Sequence, residues 1–324
     1  MQGLTDKNSR PMEVVNYPQL KEEIEKLKKE KKAVILAHYY QRPEIQDIAD
    51  FVGDSLELAR KATEVDTEII VFCGVHFMGE TAKILNPSKK VLLPEPKAGC
   101  AMADMATKEE VLKLKEKYPN AWVVSYVNTT AEVKTISDIC CTSANAVRII
   151  EKIPAEEIIF VPDKGLAYHV SKKVKGKKII PFEGFCPDHY LFTKNMLLKL
   201  KEKYPNAPVG VHPETPPEVQ DMADFVGSTS RLLKWATSNQ LDAQEVIIIT
   251  EIGLKYHMEK INPKRKYIFP TPEEGVGYLF CAQMKSVSLD KVYETLKEEK
   301  NEITLPSEVI EKAYKPIKRM LELS

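Results

Sequence analysis

Three cysteines close Pro/Gly-rich turns at corresponding places along the chain: PEPKAGC ends at Cys100, PFEGFC at Cys186 and PTPEEGVGYLFC at Cys281. Three thiolates brought to one point ligate metal. Structural zinc closes with four protein ligands, whereas three cysteines with no evident fourth suit an iron–sulfur cubane that keeps one iron open. Such an iron is a Lewis acid towards a substrate oxygen. Zinc stays open as the other reading. Cys100 and Cys186 are separated by the repeat spacing described below, and Cys281 lies beyond an insertion. Cys73, Cys140 and Cys141 fall in apolar surroundings and read as small buried fillers.

The elements that must position these thiols come in three copies. Ala33 to Ala62, Ala121 to Ile150 and Ala207 to Ala236 align without a gap. The second and third copies are both preceded by LKEKYPN, and the first and third share ADFVG in register. Each copy opens on a short apolar run that reads as a buried strand. A polar turn and a helical stretch follow, then a second strand, a second helical stretch and a third strand. A β-α-β-α-β unit implies a parallel sheet with helices on its faces. The fold class is therefore α/β, in three similar domains about a pseudo-threefold axis. Their expected bounds are 17–100, 101–186 and 187–281, with 282–324 a helical segment packing on them.

Parallel α/β sheets bind ligands beyond the carboxyl ends of their strands. At that place the aligned residues are His38, Tyr126 and His212, and two positions later Tyr40, Asn128 and Glu214. The framework is alike while these tips differ in polar type, as one asymmetric site at the centre requires. Each opening helical stretch is also broken, and a new helix start fronted by hydroxyls follows: Asp54 and Ser55, Thr142 and Ser143, Ser228 and Thr229. Asp54 with Glu57 has the capping-box pattern. Unpaired N–H groups at three helix starts favour an anion, a carboxylate or a phosphate. His189, three residues after Cys186, belongs beside the thiols.

Lys plus Arg and Asp plus Glu each total 47 of 324 residues, so the net charge is zero. That leaves no electrostatic footprint for nucleic acid or an anionic membrane. No apolar run approaches the roughly 20 residues a spanning helix needs. Met1 to Asn16 is polar, lacks a signal-peptide core and is expected to be an extension outside the repeats. Six cysteines are too sparse for a disulfide framework, and the expected location is the cytoplasm.

The segments AHYYQ (Ala37 to Gln41), GDS (Gly53 to Ser55), SYVNT (Ser125 to Thr129), HPE (His212 to Glu214) and GST (Gly227 to Thr229) resemble the quinolinate synthase family, in order and in all three copies. The resemblance runs from about residue 17 to the C-terminus. It implies that iminoaspartate condenses with dihydroxyacetone phosphate, losing phosphate and water, to give quinolinate for NAD biosynthesis. It also implies a [4Fe-4S] cluster on Cys100, Cys186 and Cys281, and functional coupling to an iminoaspartate-producing enzyme. By the same resemblance His38 and Tyr40 serve keto–enol and proton-transfer steps, and Glu214 is the general base with His212 beside it. Tyr126, Asn128, Ser55 and Ser143 hold carboxylates, while Ser228, Thr229 and His189 hold the phosphate or a polar substrate group.

One departure stands out. Some members carry C-x-x-C-x-x-C around the third ligand, but here the run from Gly275 is GVGYLFC, with only Cys281. A redox switch through the missing thiols is not expected. The same Pro/Gly-rich turn is the expected moving element for substrate entry. Competing readings are an iron–sulfur hydro-lyase on another hydroxy acid and a cluster sensor without catalysis; the polar tips argue against the sensor.

Overall fold

The computed structural model describes residues 17–272 and 277–324. Met1 to Asn16 and part of the turn expected to move, residues 273–276, lie outside the described residues. Twelve strands form three four-stranded, all-parallel sheets. The first holds β1 (Ala33–His38), β2 (Phe51–Gly53), β3 (Ile69–Cys73) and β4 (Lys90–Leu92) in the order β2-β1-β3-β4. The second holds β5 (Trp122–Tyr126), β6 (Ile139–Cys141), β7 (Glu157–Val161) and β8 (Lys178–Pro181) as β6-β5-β7-β8. In the third, β9 (Val209–Val211), β10 (Phe225–Val226), β11 (Glu245–Ile249) and β12 (Lys266–Ile268) run as β10-β9-β11-β12.

Each unit has one strand more than the sequence suggests. The opening helical stretch is a short helix (Pro43–Ile48, Ala131–Lys134 or Pro217–Gln220), then the edge strand β2, β6 or β10, then the longer helix. Two or three residues carry no readable period. An aspartate just before each edge strand makes them extend: the carboxylates of Asp50, Asp138 and Asp224 accept the backbone N–H of Ile35, Val123 and Val209 at 2.7, 2.8 and 2.8 Å. Their own N–H groups donate back to the carbonyls of the same three residues at 2.9 Å. Removing the carboxylate strands a buried donor, so Asp138→Ala is expected to cost about 1–3 kcal/mol. A lower urea midpoint at unchanged slope would show it; an unmoved midpoint would mean that the clamp contributes nothing.

The central strands are buried on both faces, and alternate residues serve different cores. Leu36, Ile70, Val124, Ile158, Val246 and Ile248 point into one cluster shared by all three units. Their neighbours Ile35 and Val71, Val123 and Ile159, Val209 and Ile247 pack outward into three separate clusters. The last helix, Ser307–Leu323, adds Ile317 and Met320 to the shared core. The helix Leu289–Glu298 instead closes the outer face of the first unit beside the helix Tyr17–Glu30, through Leu289, Val292 and Leu296. No helix among the described residues is long and apolar enough to cross a membrane.

Candidate active site

The carboxyl ends of β1, β5 and β9 meet at a cavity of about 270 Å³. His38 and Tyr126 are the last residues of their strands, and His212 follows directly after β9. Thirteen of the fourteen residues expected from the sequence line this cavity: His38, Tyr40, Ser55, Cys100, Tyr126, Asn128, Ser143, Cys186, His189, His212, Glu214, Thr229 and Cys281. Ser228 does not. It is fully buried as the N-cap of the helix Thr229–Thr237, where its Oγ accepts the N–H of Arg231 at 3.4 Å.

Of the other hydroxyls, Ser55 and Thr229 are the first residues of helices Ser55–Glu64 and Thr229–Thr237. Asp54 caps the first with a complete capping box closed by Glu57. In the second unit the helix begins later, at Ala146, so Ser143 sits in a turn that Asn145 Oδ1 stabilises by accepting the Thr142 N–H at 2.6 Å.

A hydrogen-bonded chain crosses the cavity and draws on every unit. Tyr126 donates to Glu214 Oε1 at 2.8 Å, and His189 Nδ1 lies 3.0 Å from Glu214 Oε2. His189 Nε2 reaches Thr250 Oγ1 at 2.9 Å, Thr250 meets the Tyr40 hydroxyl at 2.7 Å, and Thr229 donates to that hydroxyl at 3.0 Å. Thr250 was not legible as a site residue, although it directly follows β11.

Burial pushes the Glu214 carboxyl up, but His212, His189 and Tyr126 outweigh it and hold the pKa down, to about 2. Burial also lowers His38 and His212 to about 3, so both rings are neutral near pH 7. The His38 ring accepts the Tyr40 N–H at Nδ1 at 3.1 Å, which places its proton on Nε2, while His212 Nδ1 faces both the Glu214 N–H at 3.4 Å and Glu214 Oε2 at 3.6 Å. Burial and the Glu214 charge raise both Tyr40 and Tyr126, which remain donors. Asn128 Oδ1 is buried with no hydrogen-bond partner among the described residues.

The three cysteines occupy one structural position. Each is the N-cap residue of a four-residue helix: Cys100 before Ala101–Asp104, Cys186 before Pro187–Tyr190, Cys281 before Ala282–Lys285. All three are partly accessible, whereas Cys73, Cys140 and Cys141 are buried, as fillers should be. Burial raises Cys100 to about 12 and Cys186 and Cys281 in the same direction, so metal loading must displace thiol protons. Two buried acidic side chains hold the loops of two of these cysteines. Asp163 accepts the N–H of Cys186 at 3.2 Å and Glu251 that of Cys281 at 3.3 Å. Asp163 and Glu251 are equivalent in the repeat, six residues after Glu157 and Glu245, and Gly74 stands at that place in the first unit. Lys285 pairs with Glu251 at 2.7 Å and also donates to the Tyr40 carbonyl. Sequence reasoning missed Asp163, Glu251 and Lys285, although the same alignment pairs the two acids.

Residues 22–322 match the family described as Quinolinate synthetase A protein. The chain belongs to that family. It is 58% identical to a quinolinate synthase of Aquifex aeolicus (strain VF5) over 324 residues, covering 100% of both chains. It is 54% identical to one of Sulfurihydrogenibium sp. (strain YO3AOP1), over 96% of this chain and 100% of the relative. A third, from Pyrococcus furiosus, is 52% identical over 94% of this chain and 98% of its own. The chain is thus an enzyme of a family whose members are named for making quinolinate.

The family suggests a metal cofactor, and the donors present fit one. Cys186, His189 and Glu214 place a sulfur, a nitrogen and an oxygen within 4.8 Å of one another, and three thiols open onto the same cavity.

Proposed function

We propose that the chain condenses iminoaspartate with dihydroxyacetone phosphate to quinolinate, losing phosphate and two waters, in NAD biosynthesis. The cofactor we assign is a [4Fe-4S] cluster on Cys100, Cys186 and Cys281. One observation carries the reading: a relay of polar groups from all three units lies against three equivalent thiols in one cavity.

When bound, the cluster would supply Lewis acidity towards a substrate oxygen. The protein's own groups handle binding and protons. Asn128 Oδ1, without a partner of its own, accepts from substrate, and Ser55, Ser143, Tyr126 and Thr229 offer hydroxyls to carboxylate and phosphate oxygens. Ring closure with two dehydrations needs protons taken from carbon and delivered to departing oxygens. Glu214, ionised and buried, is the acceptor. The chain from Tyr40 through Thr250 and His189 ends on Glu214 and ties that acceptor to a hydroxyl on the opposite side of the cavity. His38, neutral with its proton on Nε2, donates a hydrogen bond to a substrate oxygen beside Tyr40.

Burial also suits the substrates. Iminoaspartate hydrolyses in water, so supply by a coupled iminoaspartate-producing enzyme and enclosure in the cavity both favour the condensation. A second reading has one support: the Cys186, His189 and Glu214 grouping resembles a mononuclear zinc donor set. Anaerobic purification with metal analysis separates the two. The expected result is about four iron and four acid-labile sulfide per chain, with turnover that requires both substrates. Stoichiometric zinc without sulfide, or turnover of a single hydroxy acid, would overturn the assignment.

A further inference from the structure

We propose that Gln46, Lys134 and Gln220 are positioning residues: in each unit one buried side-chain nitrogen holds the turn that presents Tyr40, Asn128 or Glu214 to substrate. The inference rests on the reading that those three residues act on substrate.

The three positions are equivalent, each six residues after its site residue. Gln46 Nε2 donates to the carbonyls of Tyr39 and Gln41, both at 3.0 Å, on either side of Tyr40. Gln220 Nε2 donates to those of Pro213 at 2.8 Å and Thr215 at 2.7 Å, on either side of Glu214. Lys134 Nζ donates to Val127 at 2.9 Å and to Thr129, on either side of Asn128. Carbonyls only accept, so nitrogen must face them in all three units. Binding both flanking peptide planes sets the direction of the Cα–Cβ bond between them.

The same nitrogens tie neighbouring units together. Gln46 also reaches the carbonyl of Gly253 in the third unit at 3.1 Å, and Gln220 that of Gly165 in the second at 3.0 Å. Those glycines are equivalent and press on the site turns. A Cβ at Gly165 would stand 2.9 Å from the Pro213 oxygen and 3.0 Å from the Glu214 carbonyl carbon; at Gly253 it would stand 2.9 Å from the Tyr40 carbonyl carbon. The second unit closes on the first differently. There His76 replaces the glycine, and Glu80 Oε2 accepts the N–H of Ala131, three residues after Asn128, at 2.9 Å. This interface brings in a buried acidic side chain, and the holding residue of the second unit is a lysine instead of a glutamine.

Steady-state kinetics of the metal-loaded enzyme test this with Gln220→Met, Gln220→Lys and Glu214→Gln, singly and combined. Gln220→Met is expected to lower kcat by roughly tenfold to a hundredfold, the effect of a site group misplaced by about 1 Å, with a much smaller change in KM and unchanged iron and sulfide. Gln220→Lys, which restores a donor as the second unit does, is expected to keep most of kcat. In the Glu214→Gln background Gln220→Met should add little, because it acts through Glu214. Lys134→Gln should be close to wild type, while Lys134→Met should raise KM through Asn128. If Gln220→Met does not fold, the two Lys134 variants decide in the same way. Wild-type kcat in Gln220→Met, wild-type KM in Lys134→Met, or an equal loss with and without Glu214 would overturn the proposal and leave the reaction assignment standing. Full activity of Glu214→Gln alone would remove the Glu214 reading and this proposal with it.

Discussion

Glu214→Gln is expected to lower turnover by roughly 100- to 10,000-fold, the usual range for a lost general base, while iron and sulfide stay bound. The amide keeps the shape of the carboxyl and removes its basicity. At present the carboxylate is held ionised in a buried site by the Tyr126 hydroxyl at 2.8 Å and His189 at 3.0 Å. Burial alone would raise its pKa, and His212, His189 and Tyr126 together reverse that. An amide at this place also offers N–H to one of the two groups that now donate, Tyr126 or His189. Single-turnover assays on enzyme with matched metal content give the measurement. Turnover within a few-fold of wild type would mean that another group takes the proton.

Cys281→Ser is expected to lose iron and sulfide together and to lower activity by more than about a hundredfold, because Lewis-acid polarisation is worth several kcal/mol. Cys281 is the proposed ligand whose sequence position is least regular, lying past an insertion. Its structural position is nevertheless that of Cys100 and Cys186, the N-cap of a four-residue helix on the same cavity. Glu251 holds its loop through the backbone N–H, so the exchange leaves the scaffold intact. Circular dichroism should be unchanged, and Cys140→Ala, made at a buried filler, should retain the metal. A Cys281→Ser enzyme with its full iron content would exclude Cys281 as a ligand.

Much of the site was readable because it is repeated. One aligned column holds His38, Tyr126 and His212, another Tyr40, Asn128 and Glu214, and the strand ends deliver both columns to one cavity. Ser228 shows the limit of that logic. Its neighbour Thr229 reaches the Tyr40 hydroxyl, but Ser228 is turned to the helix start and caps it. A serine at a helix start is a good cap and a good anion donor alike, and only the backbone decides which way it points.

The apolar runs, the β/α alternation and the threefold repeat are properties of the chain itself, because burying a strand on both faces demands a local pattern that any reader of the sequence can see. The presence of three thiols outside the buried set is legible in the same way. What the tertiary structure alone decided depends on groups distant in sequence. The edge strands β2, β6 and β10 exist through an aspartate clamp on a strand some fifteen residues away. Thr250 joins the relay only because the third unit packs against the first, and Asp163 and Glu251 hold cysteines far along the chain. The nitrogens of Gln46, Lys134 and Gln220 belong here too. Their types are plain in the sequence, but their meaning lies in carbonyls that only the folded turns bring within reach.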